Sequence, residues 1–408
     1  MHPMTPTSRL LLCSLLLSAS FVTLAQQQTD ELLTERAATL ARTLIIIDTH
    51  VDVPMRLHHQ WEDLSGRTVG GDFDFERAKA GGLDAPFMSI YVPSEREGRG
   101  AKALADTLIR IVERMAGAWP DRCALARSPE EVEANTRKGL LSLPMGLENG
   151  SPIEGDLANV RWLHSRGIRY ITLTHGQDNH ISDSSYDTTR TWGGLSPFGR
   201  QVVREMNRVG IMVDISHVTD EAFFDALEVT RAPLIASHSS CRAFTPGFER
   251  NMSDSMIVQL ARTGGVIMIN FGSSFLSGEY MQKEEAGRRE VLEHLHSRGL
   301  NYWDQEARDY VAQYRKDHPM PTVTVADVAD HIDHAVRLVG IDHVGIGSDF
   351  DGVGDSLPEG LKDVSGYPNL IRELLRRGYS EESIRKICSG NIMRVWNEVE
   401  AVASSWKE

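Results

Sequence analysis

The sequence predicts an α/β chain folded as a TIM-like (β/α)8 barrel, with a helical insertion between strands 7 and 8 and helices after the last strand. Three observations carry this expectation. Eight short stretches are strongly β-prone, the intervals between them are long enough for crossover helices, and polar residues able to bind a ligand close one stretch after another. Parallel strands joined by crossovers end on one rim of a barrel, so such residues converge there.

The first 25 residues stand apart from that pattern. MHPMTPTSRLLLCSLLLSASFVTLA has a short polar start with Arg9, an uncharged run from Leu10, and small residues Thr23 and Ala25 ahead of Gln26. This is the layout of a secretory signal peptide, and the run is too short and too rich in Ser and Thr for a membrane-spanning helix. Residues 26–408 then form a single domain, expected to be secreted to a periplasm and to lack a stable membrane anchor.

The barrel strands are expected at 43–50 (TLIIIDTH), 85–92 (APFMSIYV), 140–148 (LLSLPMGLE) and 168–175 (IRYITLTH), then at 210–217 (GIMVDISH), 232–239 (APLIASHS), 264–271 (GGVIMINF) and 343–350 (HVGIGSDF). Between them, 99–116, 156–165, 198–208, 219–229 and 253–262 repeat apolar residues three or four apart and read as helices. Residues 272–325 form a long, charged interval that should contain helices and could cover the barrel mouth, with Tyr280, Tyr302 and Trp303 available to line it. After the last strand, PNLIRELLRRGYSEESIRKICSGNIMRVWNEV reads as two helices, the second starting at Ser380. An open doubly wound sheet is the competing architecture, but no G-x-G-x-x-G follows the first strand.

Charge narrows the partners. With 43 Lys+Arg against 57 Asp+Glu the formal charge is −14, which repels phosphate backbones, so nucleic acid is excluded as a partner. Cys123, Cys241 and Cys388 remain after the leader, allowing one bridge at most.

The residues that end the strands carry the chemistry. His50 and Asp52 are two apart after LIII, Glu148 closes the third strand, and His175, His217 and His238 close or follow the next three; Asp349 ends the eighth. Imidazoles and carboxylates gathered on one rim suit Zn²⁺ or another first-row divalent ion. A shared carboxylate could bridge two ions and activate water for hydrolysis of a polar bond. Each residue also has a plainer role open to it: a helix cap for Glu148, a satisfied core histidine for His217 or His238, a turn cap for Asp349. Asp351 reads as structural, and His331, His334 and the histidines of HLH (294–296) read as solvated helix surface. H-E-x-x-H, C-x-x-C and G-x-S-x-G are absent, which disfavours zincins, thiol redox enzymes and elbow-type serine hydrolases.

Assembled in order, DTHVDVP (48–54), GLENG (146–150), RYITLTH (169–175), DISHV (214–218), SHSSCR (237–242), RNMSD (250–254), GIGSDFDG (345–352) and GNIMRVW (390–396) resemble the membrane dipeptidase, or renal dipeptidase, family of metal-dependent amidohydrolase-like barrels. The resemblance runs from about residue 43 to about 398. It implies a zinc-dependent dipeptidase that accepts small dipeptides, including those with a C-terminal D-amino acid, and that forms a homodimer. It further implies two Zn²⁺ per subunit: one held by His50, Asp52 and Asp349, the other by His217 and His238, with Glu148 bridging. A metal-bridging hydroxide would attack the peptide carbonyl, His175 would steady the charge that develops on the carbonyl oxygen, and Asp349 would carry the proton. Arg250 would receive the substrate carboxylate, with Arg242 as the fallback. The same centre could instead act on N-acyl amino acids, lactones or β-lactams; a zinc-containing binding protein and a serine hydrolase using Ser239 or Ser240 are the remaining alternatives.

Overall fold

The computed structural model describes residues 28–301 and 304–406. The leader and the insertion residues Tyr302 and Trp303 lie outside that range. Eight parallel strands form the sheet: β1 (Ile47–Val51), β2 (Ala85–Tyr91), β3 (Met145–Glu148), β4 (Ile168–Thr172), β5 (Met212–Asp214), β6 (Leu234–Ala236), β7 (Val266–Ile269) and β8 (Val344–Ile346), each paired with the next in chain order. All eight lie inside or overlap the expected stretches. The last five stop short of His175, His217, His238, Asn270 and Asp349, which leave the ladder and turn over the rim, whereas His50 and Glu148 stay within β1 and β3.

The seam between β1 and β8 is closed by side chains as much as by backbone. One bridge joins Val51 to Phe350, Asp349 N–H donates to the His50 carbonyl at 3.1 Å, and Asp52 N–H donates to the Phe350 carbonyl at 2.9 Å. Beneath these, the buried Asp48 carboxylate accepts the backbone N–H of both His50 (3.1 Å) and Ser348 (2.9 Å) and the Tyr367 hydroxyl (2.5 Å). A single carboxylate therefore ties the first strand to the segment after the last.

At the opposite end, Ile47, Ala85, Met212, Ile235 and Val266 pack with Trp396 of the C-terminal helix Asn391–Ser405, and Trp396 meets the Phe87 ring at 5.2 Å. This plugs the N-terminal mouth with apolar volume and leaves the polar rim as the open face.

Helices form where expected, at Ala101–Ala118, Ala158–Ser165, Pro197–Val209, Asp220–Val229 and Asp254–Arg262. Ser196, Thr219 and Ser253 cap the last three by accepting a first-turn N–H, which fixes where each begins. Short helices at Val53–His59, Phe75–Gly81 and Pro129–Arg137 escape the pattern because seven to nine residues hold too few apolar repeats. The stretch 140–148 is split at Pro144; its first part, Leu141–Leu143, pairs with Cys123–Leu125 in a separate two-stranded sheet.

The interval 272–325 folds as helices Ser273–Leu276, Gly278–Arg298 and Gln305–Asp317, the last two packing through Val291, Leu295 and Ala307. Tyr280 packs partly buried against the main core. Within it His294 stacks on Tyr310 with ring centroids 3.6 Å apart, while His296 is exposed. His331 corrects the expectation of a solvated helix face: it is fully buried, accepts the Cys241 N–H at Nδ1 (2.9 Å) and contacts the Leu276 carbonyl through Nε2 (3.1 Å). A histidine on the inner face of an amphipathic helix can satisfy both nitrogens from loop backbone, and this one ties the loop after β6 to the start of the insertion. His334 pairs with Asp254 at 2.7 Å. Cys123, Cys241 and Cys388 are buried free thiols. Among the described residues no helix is long and apolar enough to cross a membrane.

Candidate metal centre

The C-terminal rim gathers all the residues singled out above as possible ligands. His50 Nε2 is 3.4 Å from both Asp52 Oδ2 and Glu148 Oε2. Glu148 Oε1 faces His217 Nε2 at 3.1 Å, His238 Nε2 at 3.4 Å and His175 Nε2 at 3.5 Å. Three ligand sets converge: His50 with Asp52 and Asp349, His50 with Glu148 and His238, and Glu148 with His175 and His217. Glu148 thus touches both halves of the cluster with different oxygens, the placement a bridging carboxylate needs. His175 lies as near Glu148 as the other histidines but is the most exposed of them, its side chain 24% accessible against 1% for His238.

Unusual backbone aims two of these side chains. His217 and Asp349 have φ of 70° and 66°, in the left-handed region that costs a non-glycine residue about 1–3 kcal/mol. Asn149, beside Glu148, has φ 81° and anchors its turn by donating to the Val92 carbonyl at 2.8 Å and accepting from Ser151 N–H at 3.2 Å. The fold holds strained residues where they serve the rim.

The donor set fits divalent cations. His50 Nε2, Asp52 Oδ1 and His217 Nδ1 are buried without a hydrogen-bond partner, although buried polar atoms are ordinarily satisfied. His217 Nε2 and His238 Nε2 point at each other across 2.9 Å. At Gly352 a Cβ would lie 2.2 Å from Asp349 Oδ1 and 2.4 Å from Asp52 Oδ2, so only glycine leaves the space between those two carboxylates open.

Electrostatics points the same way. Burial, with the Arg250 charge and neighbouring imidazoles adding to it, holds His217 and His238 well below the usual histidine pKa, keeping them neutral as ligands must be. Burial lowers His175 as well. Asp349 is pushed up to about 7 by burial and by the Asp52 and Glu148 charges, against the pull of His50. Burial disfavours both charged forms in the His50 and Glu148 pair. Tyr170, Glu148 and Asp52 nonetheless carry His50 well above its usual value, and the imidazoles carry Glu148 well below its own. Carboxylates crowded this closely need positive charge, which cations would supply.

Arg250 is 3% exposed, donates to Ser239 Oγ (2.7 Å) and the His238 carbonyl (2.8 Å), and leaves Nε unpartnered. Among the described residues no carboxylate pairs with it. Arg242, by contrast, is taken up by Asp220 through a two-pronged ion pair at 2.5 and 2.8 Å. A buried guanidinium with spare donors beside a metal-type cluster is a seat for an anionic group. Asp351 accepts the Asp72 N–H at 2.6 Å and lies 3.4 Å from Arg56 Nε, outside the ligand sets.

The family model described as "Membrane dipeptidase (Peptidase family M19)" matches residues 34–408. The chain belongs to this family. It is a dipeptidase of the M19 metallopeptidases, whose solved relatives share its barrel. It is 34% identical to dipeptidase tcpJ of Claviceps purpurea over 84% of this chain and 72% of that protein. Among solved structures, the probable dipeptidase PvdM of Pseudomonas aeruginosa superposes with TM-score 0.79 at 26% identity, covering 91% of this chain and all of that one. A metallopeptidase from Rhodobacter sphaeroides, solved with a phosphinate mimic of the dipeptide L-Ala-D-Ala, gives 0.72 at 26% identity over 88% of this chain and 99% of that one.

Sequence reasoning did not single out Tyr170, Asn270 or Ser237, which touch His50, Asp349 and His238, nor Asp214, which reaches the rim only through Ser237. Asn270 donates to Asp349 Oδ2 at 2.8 Å and follows β7, where the strand-end rule that found the other rim residues applies equally. Tyr170, whose hydroxyl meets His50 Nδ1 at 2.8 Å, sits in mid-strand and gives no such signal.

Proposed function

We propose that this dipeptidase uses two Zn²⁺ ions per subunit, held by His50, Asp52 and Asp349 on one side and His217 and His238 on the other, with Glu148 bridging. The supporting observation is the rim itself: six buried ligand-type side chains whose donor atoms converge in overlapping sets around Glu148, with His50 Nε2 and Asp52 Oδ1 left without a hydrogen-bond partner. Bound there, the ions supply Lewis-acid polarisation of a carbonyl and a lowered pKa for water.

The remaining chemistry belongs to the chain. Arg250 takes the free carboxylate of the dipeptide on its unpartnered Nε edge, which sets the C-terminal residue and so the position of the scissile bond. His175, neutral and the most open of the histidines, donates a ring N–H to the carbonyl oxygen as charge develops. Asn270 occupies Asp349 Oδ2, leaving Oδ1 to receive a proton from the attacking water and pass it to the departing amine.

The phosphinate mimic of L-Ala-D-Ala bound by the Rhodobacter relative supports acceptance of a D-residue at the C-terminal position. Residues 1–25 are proposed as a secretory signal, the mature enzyme as a periplasmic homodimer; N-terminal sequencing and sedimentation of exported protein test these.

The function is tested by stripping the enzyme with chelator, restoring zinc, and assaying paired L,L and L,D dipeptides with N-acyl amino acids as controls. Zinc-restored cleavage of both dipeptide series is expected. Full activity in the metal-free enzyme, or turnover of the N-acyl amino acids alone, would overturn it.

A further inference from the structure

A metal-binding imidazole must present a lone pair at the ligating nitrogen, and the hydrogen bond at its other nitrogen decides whether it does. His238 is the case in which the bonding around it leaves no choice. Its Nδ1 is 2.7 Å from Ser237 Oγ, and Ser237 Oγ is 2.6 Å from Asp214 Oδ2. Asp214, at the end of β5, is fully buried and also accepts from Thr172 Oγ1 (2.5 Å), Ser216 N–H (3.0 Å) and Ser237 N–H (2.8 Å).

Four donors converge on this carboxylate and fill its lone-pair sites. Ser237 owns one hydroxyl proton, and Asp214 takes it. Only oxygen lone pairs then remain to face His238, so Nδ1 must carry the hydrogen and Nε2 the lone pair. That lone pair looks into the cluster, 3.4 Å from Glu148 Oε1 and 2.9 Å from His217 Nε2. Thr172, Asp214 and Ser237 are all fully buried, so bulk water has no access to rearrange the chain of bonds.

We propose that Asp214 and Ser237 are a positioning pair that fixes the tautomer of His238 and thereby the affinity of one side of the centre for its cation. The inference rests on the assignment of His238 as a ligand.

Substitution can reverse the chain without removing an atom. In Asp214→Asn the backbone N–H groups of Ser216 and Ser237 keep the amide oxygen at the Oδ1 position, which puts the NH2 where Oδ2 was. That NH2 donates to Ser237 Oγ, Ser237 donates to Nδ1, and the imidazole hydrogen moves to Nε2, where it blocks ligation. Ser237→Ala merely cuts the chain and leaves either tautomer available.

The test is zinc titration of chelator-stripped protein in competition with a chromophoric chelator. Asp214→Asn is expected to weaken one of two zinc sites by about 100-fold and Ser237→Ala by about 10-fold, the span typical of partners behind a ligand. The double variant should return to the Ser237→Ala level, because the reversed signal has no path; losses from two merely structural residues would add instead. A wild-type chain that takes up no zinc overturns the ligand assignment and this inference with it. A wild-type chain that binds zinc while Asp214→Asn binds it equally well, or a double variant weaker than either single one, overturns the positioning pair alone. Should Asp214→Asn fail to fold, the ¹⁵N spectrum of the metal-free wild type decides: His238 protonated at Nδ1 is expected, and protonation at Nε2 refutes the pair.

Discussion

Gly146, in the strand that ends at Glu148, lies against the ring of Tyr170. A Cβ there would sit 1.9 Å from Tyr170 Cζ and 2.1 and 2.4 Å from the adjoining ring carbons. Relief to ordinary carbon contact requires a displacement of about 1.5 Å. The ring has nowhere to go: it is fully buried, Phe87 packs at 5.6 Å between centroids, and its hydroxyl is held at His50 Nδ1. Gly146→Ala should therefore cost about 3 kcal/mol of overpacking, with about 1 kcal/mol more for the lost hydrogen bond. The assay is denaturant unfolding of metal-free protein, so that metal binding does not enter, with Tyr170→Phe as the control that removes only the hydroxyl. Gly146→Ala should be the less stable variant by about 3 kcal/mol. A Gly146→Ala protein within about 1 kcal/mol of wild type would refute the claim that the glycine exists to seat Tyr170.

Other consequences are equally open to measurement. His331 is held down to about 4 by burial, so as pH falls the unfolded chain takes up a proton near 6.5 before the native state can, and stability drains away between those two values. The native state should lose about 2 kcal/mol between pH 7 and pH 5 from this group, and His331→Gln should flatten that slope; an unchanged slope in the variant contradicts the assignment. Arg250→Met should lower kcat/KM for dipeptides by about 10–100-fold while sparing substrates with a blocked carboxylate, and equal losses on both would mean that Arg250 does not read the carboxylate. Asn270→Ala removes the donor at Asp349 Oδ2 and should weaken zinc binding by about 10-fold in chelator competition, with metal-free stability changed by about 1 kcal/mol; unaltered zinc affinity would leave Asn270 without a role at the centre.

The barrel was legible because each strand has its own apolar run and each crossover its own helical period, so local pattern and global topology agree. The rim residues were legible for a related reason: a polar residue that abruptly ends an apolar strand, as His50, Glu148 and Asp349 do, has no core to fill and lies on the rim. What lies behind those side chains was hidden. Tyr170 sits within a strand, where a polar residue announces neither its depth nor its partner, and it meets His50 across 120 residues of sequence; Asp214 does end β5, but nothing in the sequence shows that it would reach the rim only through Ser237. His331 misled for the complementary reason. Its helix is amphipathic, but sequence period alone did not show that the loop after β6 would offer a backbone N–H to the buried face. The left-handed backbone at His217 and Asp349 was equally invisible, since neither is the glycine that usually marks such a turn.

The central claim is that Glu148 joins two cation sites on the barrel rim. Anomalous diffraction at the zinc edge from crystals of the zinc-loaded enzyme tests it most directly. Two peaks are expected about 3.5–4 Å apart, one on each side of Glu148, the first within reach of His50, Asp52 and Asp349 and the second within reach of His217 and His238. A single peak, or peaks away from Glu148, would contradict the account.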